Sequence, residues 1–411
     1  MKRIAMLLVI ATVVAGSAGQ AVAAAKEPAV VHATAALAVV GGEIEQPKLV
    51  WLHPRTLKQL KRGSVKLADA HSSVFSPNAS KIAVGSSAFG VRIVDIRRMK
   101  LVSSGTARRF GWDINPISWP TQRRLLALEW HQRLPGTRLV VIDPVSRRVL
   151  RRSPLDPPLL WWEVAGRDLV ALSSPAEGIG PARLLVVDPD GATRSVSLDR
   201  IHAGGRTEGA EEDPTYRLAS PGLAVDPVAR RAYVVGQAPL LAEIDLESLA
   251  VTYRELVSFR SLAARTKVVT GWTRQATWLG DGRIAVAGAE YDRLRSTPSG
   301  LEVIDVRSGT SRVLEPRASM AVASQNLLLA AGGGRDGETE AESGMGISAL
   351  SADGEVLWSA LANQPVWWAQ AAGGYAYVVG EEAYPQTVRV IDLATGSVRT
   401  LRGQLPLFVT R

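Results

Sequence analysis

The chain has 411 residues, with 48 Lys and Arg against 39 Asp and Glu, a formal net charge of +9 and no cysteine. The missing thiols exclude disulfides, thiolate metal sites, cysteine nucleophiles and lipidation on a cysteine. The charge excess is modest and of mixed sign along the chain, so it bears on solubility and attraction to polyanions rather than on fold; no Lys/Arg cluster interleaved with aromatics on one element points to nucleic acid.

The chain opens MKRIAMLLVIATVVAGSAGQAVAAA: Lys2 and Arg3, an apolar run from Ile4 to Ala15, then small residues ending Ala21-Val22-Ala23. This reads as a secretion signal over 1–23, its apolar run short of the ~20 residues a bilayer needs. The expectation is an exported, secreted or extracytoplasmic chain with no membrane span after cleavage and a single domain over 24–411.

From residue 48 onward the sequence repeats one pattern eight times: an apolar strand, a polar turn, a second apolar strand. The copies run from KLVWLHPRTLKQL (48–60) through VRIVDIRRMKLV (91–102), RLVVIDPVSRRVL (138–150) and RLLVVDPDGATRSVSL (183–198) to LAEIDLESLAVTY (241–253), LEVIDVRSGTSRVL (301–314), GISALSADGEVLW (346–358) and VRVIDLATGSVRTL (388–401). Six first strands end in Asp (Asp95, Asp143, Asp188, Asp245, Asp305, Asp392), with His53 and Ser351 at the corresponding places, and the intervals are 42, 48, 45, 57, 60, 46 and 41 residues. A period of about 40–50 residues marks a stacked or radial β array. The Asp side chains are read as turn-makers that accept backbone N–H bonds. Asp188-Pro189-Asp190-Gly191 is likewise a type I turn rather than a calcium loop.

Ahead of each hairpin lies another strand pair, as in SSVFSPNASKIAVGSS (72–87), GLAVDPVARRAYVVG (222–236) and PVWWAQAAGGYAYVVG (365–380). Each repeat then has four short antiparallel strands, which predicts an all-β fold, a β-propeller of eight four-stranded blades, with seven as the alternative. A bulky residue closes the first strand of successive copies: Phe75, Trp119, Trp162, Val225, Trp278, Met320 and Trp368. These are read as wedges between blades rather than as ligand platforms. Copy one has only three strands, while QLPLFVTR (404–411) follows a complete copy eight. Pairing 404–411 with 36–45 of blade one would close the ring and remove two exposed edges.

With strands labelled A to D outward, the A–B and C–D turns are short, whereas the insertions fall on the other face. They are the B–C loops 131–138, 174–183, 290–300, 332–346 and 381–387 and the D–A connections 199–220 and 257–275. Loops on a rigid scaffold are where binding sits, so the site is expected on this face. The candidates are Trp130, His131 and Arg133; Arg206, Tyr216 and Arg217; Tyr291, Asp292 and Arg293; Arg335; and Tyr384. The Gly-rich, acidic DRIHAGGRTEGAEEDPTYRLASP reads as a solvated flap for most of its length. Five histidines without an HExxH pair, no GxSxG elbow in the mature chain and no phosphate loop leave no visible catalytic or metal motif, and no cofactor is expected.

SPNASKIAVGS…VRIVDIRRMKLVSS and DLATGSVRTL resemble the YVTN and related propeller families of secreted proteins. ALSADGEVLWSA (349–360) is similar to the repeat of the quinoprotein-dehydrogenase-like eight-bladed propellers. That second resemblance implies a quinone and calcium above a disulfide between adjacent cysteines; without cysteine, and with one full Trp motif, the fold is expected to carry over and the cofactor is not. The expected function is an exported, non-catalytic binding or scaffold module, a monomer whose loop-rich face takes a protein or an anionic cell-surface polymer such as a glycan. The alternative is a propeller hydrolase, lactonase or lyase with a metal-assisted site in the central channel.

Overall fold

The computed structural model describes residues 30–41, 46–67, 70, 72–109, 111–131, 137–155, 159–208, 215–259, 271–292, 295–336, 341–351, 353–380, 387–403 and 405–409. The segment read as a secretion signal, residues 1–23, lies outside them. Every regular element among the described residues is a strand, and no helix is long and apolar enough to cross a membrane. Continuous apolar runs explain the strands locally: in Arg124–His131 and Thr137–Asp143 the β-branched and leucine side chains fill both faces, as a blade buried between two neighbours requires.

Hydrogen bonding divides the strands into six sheets, five of four strands and one of fourteen. Counted as separate sheets, the propeller has six blades, which corrects the expected eight and the alternative seven. The reason lies in the loops. The fourteen-stranded sheet holds the four strands of three repeats, beginning at Leu159–Ala165, Gly271–Gly280 and Met320–Ser324, and two additional strands, Thr215–Ser220 and Arg295–Pro298, join them. Thr215–Ser220 pairs back on Thr193–Glu208 and runs parallel to the start of Gly271–Gly280. Arg295–Pro298 bridges Arg283–Asp292 to Leu327–Asp336. Much of the expected flap is therefore paired strand over 199–208 and 215–220, and the loops read at 290–300 and 332–346 extend as hairpins.

In seven of the eight copies the turn is held by the side chain that ends the first strand. Oδ1 of Asp95 accepts the N–H of Arg98 at 2.9 Å, and Oδ1 of Asp245 accepts those of Glu247 and Ser248 at 3.0 and 2.8 Å. Asp143, Asp188, Asp305 and Asp392 accept equivalent N–H bonds. Ser351 Oγ does the same for Asp353 and Glu355, and at His53 the backbone carbonyl serves Leu57 instead. These bonds favour the charged carboxylate: the pKa of Asp245 is lowered first by the Ser248 N–H, and that of Asp305 by the Ser308 N–H. For Asp143, burial pushes upward, but the Val145 and Ser146 bonds outweigh it and the pKa falls.

The bulky strand-end residues pack at seams between repeats. Phe75, Trp119, Trp162, Val225, Trp278 and Met320 each join an apolar cluster drawn from two neighbouring repeats, whereas Trp368 is half-buried outside these clusters. Trp278 additionally stacks on Tyr233 at 5.5 Å and 4°. The last repeat packs on the first through Tyr377, Val388 and Val390 against Ala38, Val50 and Leu52. Of 404–411, Leu407–Phe408 is a strand that pairs with Val39 and Ala38 only, and residues 42–45, 404, 410 and 411 lie outside the described set.

Candidate functional site

On the loop-rich face, the rim between the second and third repeats gathers arginines around two aromatic rings. Four short segments build it. Phe89 comes from the turn before Gly90–Asp95, and Arg92 from that strand. Arg108 and Arg109 come from the connection after Lys100–Thr106. Trp112 and His131 are paired at the ends of Trp112–Thr121 and Arg124–His131, and Arg138 and Arg152 lie near the facing ends of Thr137–Asp143 and Arg148–Leu155. The first two segments are locked by close backbone approach. Gly90 has φ +76°, and a Cβ there would sit 2.2 Å from the Thr106 carbonyl, so no other residue fits without moving the chain.

Trp112 is the centre of this rim. The guanidinium carbons of Arg138 and Arg109 lie 4.2 and 4.7 Å from its ring centroid, and His131 meets it edge-on at 5.1 Å and 75°. Arg92 and Arg108 approach the Phe89 ring at 4.9 and 5.9 Å. Such contacts hold planar guanidinium groups at a fixed attitude.

Beneath them lies one acid. Glu129 is 1% exposed, and its carboxylate sits 3.4 Å from Arg152 Nε and 3.6 Å from Arg109 Nη1. Neither Glu129 oxygen accepts a hydrogen bond. Glu129 lies opposite Arg138 across the strand pair, so one buried charge stands against three arginines. Arg152 is also fixed by its own bond to the Ala107 carbonyl at 3.3 Å. Glu129 is set against Arg92, Arg108, Arg109, Arg138 and Arg152, so the rim carries an excess of positive charge. Chemically it can offer charge-assisted bonds to carboxylate, sulfate or phosphate oxygens and two ring surfaces.

The sequence-predicted residues fall in different places. His131 belongs to this rim, whereas its neighbour Trp130 points to the other side of the blade and packs with Leu128, Leu139 and Leu169. Arg206, Tyr216, Arg217, Tyr291, Asp292 and Arg335 lie on strands of the fourteen-stranded sheet: Arg206 is in register with Arg217, Thr207 with Tyr216, Gly271 with Tyr291, and Arg335 with Ser296. Arg133, Arg293 and Tyr384 fall outside the described residues. Sequence reading missed Phe89, Arg92, Arg108, Arg109, Trp112, Glu129, Arg138 and Arg152. The only linear hint was the run ARRFGWD (107–113), since the remaining members are spread over four strands and become adjacent only when two repeats pack. Among the described residues no group of three His, Asp or Glu side chains is placed to hold a metal ion.

No family model matches the chain, and no curated protein is similar to it in sequence. Among solved structures it is similar to dihydro-heme d1 dehydrogenase NirN in complex with DHE, at 14% identity and a TM-score of 0.55, over 91% of this chain and 74% of that one. Weaker likenesses are Sqt1 of Saccharomyces cerevisiae (9% identity, TM-score 0.49, covering 81% and 85%) and BamB from Moraxella catarrhalis (12%, 0.42, 80% and 87%). At such identities the likeness to NirN shows the fold alone, an all-β propeller, and fold does not settle function.

Proposed function

We propose that the protein is an exported, non-catalytic β-propeller of the YVTN-like or quinoprotein-like kind, without a quinone cofactor, that binds an anionic partner through its loop-rich face. The single observation that supports this reading is the rim around Trp112, where arginines are held in place by rings and by a buried acid before any partner arrives. Preorganised guanidinium groups lose little entropy on binding, which favours recognition of acidic groups on a protein or a cell-surface glycan. In this reading the ring is closed by the C-terminal strand against residues 36–40, which keeps the face rigid.

Retention of the purified protein on immobilised sulfated polysaccharide and on poly-glutamate, over a salt series, tests the proposal. Arg138→Gln/Arg152→Gln should weaken binding at least tenfold, and Trp112→Ala should weaken it by loosening both flanking arginines. Binding to both polymers that is untouched by the double substitution would remove the rim from consideration.

A further inference from the structure

A cleft of about 380 Å³ lies at the seam of the fifth and sixth repeats, on the side of the short turns and so away from the loop-rich face. One wall is the stacked pair Tyr233 and Trp278. The charged residues around it are not equivalent. Glu243 is already bonded by Arg231, and Asp226 Oδ1 already accepts the N–H groups of Val228 and Ala229. Two guanidinium groups remain. Arg254, on the strand Val251–Glu255, has its Nε–H fully buried with no acceptor. Arg307, from the turn after Leu301–Asp305, is exposed and its side chain has no acceptor among the described residues. Its nearest acid, Asp305, accepts the backbone N–H groups of Arg307 and Ser308 instead.

The backbone holds Arg254 in this position. The turn carrying Gly309 packs over the side-chain stem, and at Gly309 (φ +74°) a Cβ would lie 2.8 Å from Arg254 Cδ. The same turn is tied to the fifth repeat by Val257 N–H to the Gly309 carbonyl and Ser311 N–H to the Val257 carbonyl, both 2.9 Å. A buried N–H without an acceptor is costly, and native structures almost always supply one from protein, water or ligand. Arg254 also lines a cleft with room for a small ligand, together with the exposed Arg307 and the aromatic pair.

We infer that this cleft is a second binding site, for a small oxyanion-bearing ligand whose carboxylate or phosphate group is held by Arg254 and Arg307 beside the Tyr233–Trp278 pair. It is independent of the loop-face reading, because the two surfaces share no residue.

Calorimetric titration and thermal midpoints of the full chain with inorganic phosphate, with benzoate as the carboxylate arm and chloride at matched ionic strength as reference, test the inference. Expected is saturable binding of phosphate or benzoate beyond chloride. Arg254→Met should weaken it at least tenfold and Arg307→Gln at least threefold, while Arg399→Gln, an exposed arginine on the outer strand of the last repeat, leaves it unchanged. Should Arg254→Met not fold, the exposed Arg307→Gln still decides. Phosphate and benzoate acting no differently from chloride, full binding retained in Arg307→Gln, or equal loss in Arg399→Gln would each overturn the site, the first by showing that water suffices.

Discussion

Arg274 and Glu290 meet at 3.1 Å with only 2% and 4% of their side chains exposed. The other terminal nitrogen of Arg274 donates to Ser299 Oγ at 2.7 Å and to the Thr273 carbonyl at 3.1 Å. Burial lowers the pKa of Arg274, and Glu290, then Glu302, work in the opposite sense. The pair lies across Gly271–Gly280 and Arg283–Asp292 where these strands extend toward the loop-rich face, so it pins the extension that fuses the sheets. Removing one partner strands a buried charge, and Arg274→Met should cost about 3–5 kcal/mol. Arg274→Met/Glu290→Leu should cost less than the single change. Urea denaturation of the three proteins measures this, and an additive double variant would mean that the two groups do not act as a pair.

The C-terminal strand gives a second expectation. Phe408 stacks on Tyr377 at 4.2 Å, and the Val409 N–H donates to the Leu37 carbonyl at 2.9 Å. Deleting 404–411 should lower the thermal midpoint sharply and promote association, because it bares a strand edge. Phe408→Ala should cost about 3 kcal/mol by leaving a cavity beside Tyr377. An unchanged midpoint after the deletion would show that the ring does not depend on this strand.

Acid sensitivity should follow the turn aspartates. Asp143, Asp245 and Asp305 have pKa values below the ordinary carboxylate value in the folded chain. A depressed folded pKa gives stability that is present above the unfolded pKa and lost as pH falls through the folded one. Their contribution to stability should therefore be constant from neutrality to about pH 4 and decline below it. Asp305→Asn should flatten that acid limb; a limb of unchanged steepness would assign the loss to other carboxylates.

Glu163 should act in the opposite direction. On the strand Leu159–Ala165, burial pushes its carboxyl up to about 8 from an ordinary 4.5. The folded protein then keeps a proton that the unfolded chain has lost, so stability declines as pH rises from 4.5 to about 8 and levels off above. Glu163→Gln should match the parent near pH 4.5 and exceed it progressively toward pH 8, as read by denaturant midpoints across that range. A constant difference at all pH values would rule out a titrating Glu163.

Residues that act locally are legible in the sequence. The eight strand–turn–strand copies follow from alternation and turn chemistry, and the recurring Asp side chains do bond backbone N–H groups within their own turns. His131 was legible as a rim residue because it ends a strand ahead of an insertion. Trp130 was not: adjacent side chains on a strand point to opposite faces, and the register with Asp113 and Thr137 places it in the seam with the fourth repeat.

By itself, then, the sequence determined the strands, their turns and the all-β propeller, since each depends on groups a few residues apart. Tertiary structure alone decided that Thr215–Ser220 runs parallel to residues 271–273 and that Arg295–Pro298 reaches Leu327–Asp336, fusing three repeats into one sheet. Backbone N–H and C=O groups are the same at every residue, so no side-chain pattern announces which distant strand will satisfy them. The same holds for the arginines around Trp112 and for Arg254 and Arg307, whose partners are chosen only when neighbouring repeats close on each other.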